Sequence, residues 1–161
     1  MRLHLLYIKQ EAMSYKGKYR PKNIEKYLGD PTKITYRSLW ERKFMVFCDT
    51  NESIIRWGSE EVVVPYRSPK DNKMHRYFVD FIIEARKKDG FMEVSLIEIK
   101  PKKQCLEPKR GKKQKRRFLG EVMTYGVNQA KWKAATEFAE NRGWTFKVLT
   151  EDDLFKKGKN G

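Results

Sequence analysis

The sequence predicts a single mixed α/β domain, with a central sheet that contains a β-hairpin and is flanked by two helices. Three observations lead there. Two neighbouring apolar runs, residues 76–84 and 94–100, have strand composition and are joined by a glycine-containing turn. Two longer stretches, 35–49 and 118–141, carry apolar residues at helical spacing. The strand–helix–strand order at the C-terminal end calls for a crossover to a parallel neighbour. A chain of 161 residues fits one domain. At that length roughly 68–70% of the unfolded surface is buried on folding, enough for a core without disulfides.

Residues 1–13 read as an extension upstream of the fold, because Met13 opens a new stretch (Met-Ser-Tyr-Lys-Gly-Lys-Tyr). Residues 14–33 carry Gly17, Pro21, Gly29 and Pro31 among Lys, Arg and Tyr, and are expected to form an irregular basic arm. The core spans 34–155. In the helix at 35–49, Trp40, Phe44 and Phe47 fall at i, i+4 and i+7, and Thr35 or Ser38 can cap it. Residues 61–66 form a short strand that Pro65 places at a sheet edge or strand end. A polar loop covers 67–73, and the 76–84 and 94–100 strands follow. A helix over 118–141 ends near Gly143, with Gly126 as a point of weakness. Residues 144–149 form the last strand, and 156–161 a frayed tail. There is no internal repeat.

The hairpin register can be worked out on paper. A three-residue loop of Lys88, Asp89 and Gly90 puts Gly90 in the left-handed position, opposes Lys87 to Phe91 and, counting outward, opposes Asp80 to Glu98. A two-residue Asp89-Gly90 loop would oppose Asp80 to Ile99 instead and place it on the wrong face. The turn rules permit both, and the first brings the acids together.

Charge is lopsided. Lys and Arg number 36 against 21 Asp and Glu, a formal net charge of +15. Such a field gathers polyanions and points to nucleic acid as the partner. Cys48 and Cys105 stand alone, without Cys-x-x-Cys spacing, so a zinc site or disulfide framework is not expected and a reducing compartment fits. The apolar run at 3–8 is interrupted by His4 and is too short for a signal-peptide core, and no run is long enough to span a bilayer. No membrane partner is expected.

The chemistry-bearing residues are Asp80, Glu98 and Lys100. Period two puts Val94, Leu96, Glu98 and Lys100 on one face of their strand, and Asp80 joins them from the neighbouring one. Two carboxylates and an ammonium group, with the Ile99 carbonyl as a further oxygen, suit a hard divalent cation such as Mg2+ beside a phosphodiester. The same spacing also suits an ordinary amphipathic strand with Glu98 and Lys100 as a solvated pair. Glu41 is a third acidic candidate, although Ser38-Leu-Trp-Glu41 also reads as a capping box. Candidate DNA contacts are His75 and Arg76, and a basic loop over 101–117 with Lys102, Lys103, Arg110, Lys112, Lys113, Lys115, Arg116 and Arg117. That loop is expected to lack fixed structure unless an anion orders it. Gln129 and Lys131 on the long helix are a solvated face or the lining of a DNA groove.

A helix bearing Glu41, followed by Val79-Asp80 and then Glu98-Ile99-Lys100, resembles the restriction-endonuclease-like nucleases, whose motif is an Asp followed by Glu-x-Lys. Longer strings are more specific: Tyr15 to Asn23, Gly29 to Ser38, Trp40-Glu41, Trp57 to Glu60, Arg76 to Asp80, Glu98 to Lys102 and Lys131 to Ala135. They resemble the head completion nucleases of tailed bacteriophages, a family related to TnsA-like transposon endonucleases. The resemblance implies a restriction-endonuclease-like core and a metal-dependent endonuclease that processes packaged DNA before tails attach. It implies Asp80 and Glu98 as metal ligands, Lys100 as the catalytic lysine and Glu41 as completing the acidic cluster, with Mg2+ as cofactor and Mn2+ as a substitute. Portal or neck proteins are implied partners, and the host cytoplasm during assembly, or the virion, is the implied location. The competing reading is a non-catalytic plug that binds the packaged DNA end at the portal.

Overall fold

A computed structural model describes residues 15–156. The 1–13 extension and the tail beyond Lys156 lie outside the described residues. The central sheet has four strands in the order β3 (Ile54–Ser59), β6 (Phe81–Arg86), β7 (Met92–Ile99), β8 (Thr145–Leu149). The first three are antiparallel, and β8 runs parallel to β7. Two small ribbons complete the β-structure: β1 (Gly17–Lys18) with β2 (Thr35–Tyr36), and β4 (Val63–Arg67) with β5 (Met74–Phe78). The helices are α1 (Leu39–Thr50), the single turn α2 (Lys102–Cys105), α3 (Lys115–Glu140) and the single turn α4 (Glu151–Leu154).

The expected mixed sheet between two helices is therefore present, with corrections. The first helix starts at Leu39 rather than 35, because Ser38, in extended conformation, accepts the Glu41 N–H on its hydroxyl at 3.1 Å. Thr35 and Tyr36 instead pair with the arm. The buried stripe of α1 is Trp40, Phe44, Met45 and Cys48, while Phe47 is left 46% exposed. Strand β3 is not legible in the sequence. Its register shifts between Ile54 and Arg56, which breaks the period-two pattern that marks a strand. Pro65 sits in β4, which among the described residues pairs with β5 alone, where a missing N–H is tolerated.

The expected strand at 76–84 is two strands, broken at Val79-Asp80. The break is held by the β3–β4 connection: Val79 N–H donates to Val62 O at 3.0 Å, and Glu60 N–H to Asp80 O at 3.0 Å. The β6–β7 hairpin takes the three-residue register. Phe81 pairs with Ile97, the Lys87 N–H donates to Phe91 O at 2.9 Å, and Gly90 has φ +87°.

The basic loop also has more structure than expected. The Lys102 N–H donates to Glu151 at 2.7 Å and its ammonium pairs with Asp152 at 2.9 Å, so the acidic first turn of α4 holds α2. The long helix begins three residues early and runs through Gly126 without interruption. The 15–33 arm is irregular but docked, with Tyr19 and Tyr27 buried in the core.

Alternation along β6 and β7 divides the core in two. Phe81, Ile97 and Ile99 pack with Trp40, Phe44 and Trp57 on the α1 face. Ile82 and Leu96 pack with Val64, Tyr77, Ala135 and Ala139 under α3 and the β4–β5 ribbon. Each fully buried large apolar side chain contributes on the order of 1.5–3 kcal/mol, so the sheet's central strands are the stable floor on which the acidic residues stand.

Candidate active site

Asp80 is the residue at the break between β5 and β6. Its carboxylate turns back to accept the Ile99 N–H at 2.8 Å on Oδ2. Glu98 occupies the penultimate position of β7 and is only 6% exposed, which is exceptional for a glutamate and excludes the solvated-pair reading. Its Oε2 accepts the Tyr77 hydroxyl at 2.5 Å, and its Oε1 lies 3.3 Å from the Lys100 ammonium. Lys100 follows β7 directly and is fixed by its own N–H, which donates to Leu149 O in β8 at 2.9 Å. The end of β7 thus delivers Glu98, Ile99 and Lys100 to one point, and the break between β5 and β6 delivers Asp80 to the same point.

The electrostatics follow from this arrangement. Burial pushes the Asp80 carboxyl well above its usual range. The charge of Glu98 adds the next largest push and Glu41 a further one, and neither the Ile99 amide nor Lys100 cancels them. Glu41 is raised too, first by burial and then, against the Arg37 amide, by Glu60 and Glu98. Its Oε2 accepts the Arg37 N–H at 3.0 Å while its own N–H goes to Ser38. Glu41 therefore serves the helix start and faces the acidic cluster together. The capping contact reaches Arg37, one residue before the cap, rather than Ser38.

Carboxylate and carbonyl oxygens of this kind suit a hard divalent cation, and an acid pushed upward first by burial and then by like charges marks a site short of counter-charge. Among the described residues no three Asp, Glu, His or Cys side chains are grouped as a ready-made cage. The two central carboxylates, Asp80 and Glu98, are the pair available, with Lys100 supplying the local positive charge.

Sequence reasoning missed three neighbours. Tyr77 holds Glu98. Arg37 lies at the rim in a two-pronged pair with Glu60, 2.9 and 3.3 Å. Glu60 itself has φ +55°, unusual for a residue with a side chain, and its amide supports Asp80. The available signal was that Arg37, Glu60 and Tyr77 all fall within strings already singled out.

The candidate DNA contacts are scattered. His75 is paired with Asp71 at 2.8 Å, and Arg76 stacks on Phe78 at 5.1 Å. Lys113 and Arg117 both pair with Glu121, at 2.6 and 3.5 Å. Lys103, Arg110, Lys112, Lys115, Arg116 and Gln129 are exposed. Lys131 is not a plain solvated residue: its ammonium lies over the rings of Tyr66 and Tyr77, 5.8 and 5.5 Å from their centres, beside the Tyr77–Glu98 contact. Among the described residues no helix is long and apolar enough to cross a membrane.

Comparison with known proteins places this chain in a family. Residues 51–151, which contain Asp80, Glu98 and Lys100, match the TnsA-like endonuclease N-terminal family. The chain is also 47% identical over 153 residues to the head completion nuclease of Enterobacteria phage T4, a match that covers 92% of this chain and 99% of that protein. The family match spans more than half of the chain and the phage match nearly all of it, and the chain belongs to the TnsA-like endonuclease family, a restriction-endonuclease-like family.

Proposed function

We propose that this protein is a divalent-metal-dependent nuclease that cuts phosphodiester bonds of DNA during phage head completion, processing the packaged DNA before the tail attaches. The observation that carries the reading is the half-buried Asp80 beside the buried Glu98, with Lys100 on Glu98, in a protein of net charge +15. Restriction-endonuclease-like nucleases generally use divalent metals.

Asp80 and Glu98, with the Ile99 carbonyl, hold the ion, Mg2+ with Mn2+ as substitute. Glu41 takes a second ion or orients a water. When bound, such an ion activates water and offsets charge gathering on the phosphate. Lys100 positions the attacking water and donates to the phosphate oxygens in the transition state. The exposed basic residues at Lys103, Arg110, Lys112, Lys115 and Arg116 grip backbone phosphates without reading bases, so DNA affinity falls steeply as salt rises. Portal or neck proteins are the natural protein partners for this task. Assembly in the host cytoplasm is the natural setting.

The test is nicking of supercoiled plasmid. Wild-type protein cuts with Mg2+ or Mn2+ and stops with EDTA, while Asp80→Ala and Lys100→Ala do not cut under any of these conditions. Wild-type inactivity with both ions, together with normal virion assembly by the two variants, would establish the structural plug instead.

A further inference from the structure

From the structure we infer that Tyr77 is a positioning residue that fixes the Glu98 carboxylate for cation binding, a role that rests on the metal-nuclease reading above. Tyr77 belongs to β5, in the two-stranded ribbon, whereas Glu98 belongs to β7 in the central sheet. The strand break at Val79-Asp80 is what lets β5 leave the sheet and return its side chain over β7. The tyrosine ring is 4% exposed and packs in the core beneath α3 with Val64, Ile82 and Leu96. Lys131 covers one of its faces at 5.5 Å. A ring clamped in this way can present its hydroxyl in one direction only.

That hydroxyl donates to Glu98 Oε2 at 2.5 Å, at the short end of the range for a hydrogen bond to a carboxylate. The other oxygen, Oε1, is the one that faces Lys100. Glutamate has three side-chain torsions, and a ligand that wanders among rotamers binds a cation poorly. With Oε2 tied to Tyr77, the remaining oxygen is aimed at the point where Asp80 and Lys100 converge. A purely space-filling tyrosine would need no partner of this kind, because phenylalanine fills the same volume without a polar atom to satisfy. The ribbon therefore acts as more than a cover for the sheet: it supplies the outer support of the active-site glutamate.

The experiment uses full-length Tyr77→Phe, with Tyr66→Phe as a control from the same ribbon. Mn2+ binding is measured by calorimetry without DNA, cleavage by kcat and KM, and folding by thermal melting. Y77F is expected to weaken Mn2+ binding about 10- to 100-fold, the usual effect of losing an outer partner of a metal ligand. Its kcat should fall by a similar factor, with KM for DNA within about twofold, since phosphate contacts are untouched. Y66F should leave both unchanged. Wild-type Mn2+ affinity and kcat in Y77F would overturn the inference and leave the nuclease reading standing. Failure of the wild-type protein to bind Mn2+ or cut DNA would sink both. Should Y77F not fold, 3-fluorotyrosine at this position keeps the ring and hydroxyl but alters donor strength. Mn2+ affinity must then shift, and an unchanged value would overturn the inference.

Discussion

Asp49 and Asp80 are two aspartates in one small domain with opposite surroundings. Asp49 lies in the last turn of α1, is fully buried and is surrounded by donors. Its carboxylate accepts the Tyr19 hydroxyl at 2.8 Å and the amides of Lys22 and Asn23 at 2.7 and 2.9 Å. Its main-chain carbonyl accepts the Asn23 side-chain amide and the Lys26 ammonium, at 2.8 and 3.1 Å. Burial pushes this carboxyl up, but the Lys22 and Asn23 amides and the Tyr19 hydroxyl outweigh it, and the group lies below its usual range. Asp80 has one amide and two acidic neighbours, and lies well above that range. A buried acid with both carboxylate oxygens engaged by donors fastens the chain. One with too few donors and surplus negative charge is kept for something else, and here a cation fits.

The largest way to break this contrast is Asp80→Asn. Cleavage should fall about 10³-fold, the scale of losing one charge-stabilising group at a reacting centre. The melting temperature should hold or rise, because a repulsive charge has gone. Next is Asp49→Ala, which strands the amides of Lys22 and Asn23 and the Tyr19 hydroxyl. Chemical denaturation should show a loss of about 3 kcal/mol, with cleavage per folded molecule retained. If D49A cut no DNA while remaining folded, the division into fastening and working acids would be wrong.

Acidity gives a third test, with opposite signs. Asp80 has a folded pKa above the ordinary 3.8. Its protonated form is favoured by folding, so its contribution to stability is present below about pH 3.8 and is lost as pH rises through the raised value. Asp49 has a folded pKa below 3.8. It stabilises above that value, and the benefit is lost as pH falls through the depressed one. Melting of metal-free protein should therefore show D80N gaining on wild type as pH climbs from about 4, and D49A closing its gap as pH drops below about 4. Added Mg2+ should shrink the D80N advantage at neutral pH.

The smallest effect is expected at Glu41, which shares both characters. Glu41→Gln keeps an oxygen for the Arg37 amide but removes the charge. Cleavage should drop about tenfold, equal to 1.4 kcal/mol, with melting shifted by less than about 2 °C, whereas Glu41→Ala should lower both. Wild-type cleavage by E41Q, with melting lost only in E41A, would reduce Glu41 to a cap.

Much of this was legible in the chain. The β6–β7 register follows from counting back from Gly90, and once Asp80 faces Glu98 the position of Lys100 follows by period two. The parallel pairing of β8 follows from the intervening helix. Strand β3 was hidden by its bulge, and α4 by its single turn. The start of α1 was obscured by two plausible caps, Thr35 and Ser38. Tyr77 escaped because 76–84 reads as one unbroken strand. Nothing local marks the break, which exists because Glu60 and Val62 bond across to Asp80 and Val79.

By itself the sequence determined which residue types are present and how they alternate, because side-chain direction along a strand is a local property with period two. That was enough to nominate Asp80, Glu98 and Lys100. Tertiary structure alone decided which acid is satisfied and which is not, since the donors around Asp49 come from 23 to 30 residues away and the tyrosine on Glu98 from 21. Desolvation and charge coupling depend on distances through space, and no count along the chain contains them.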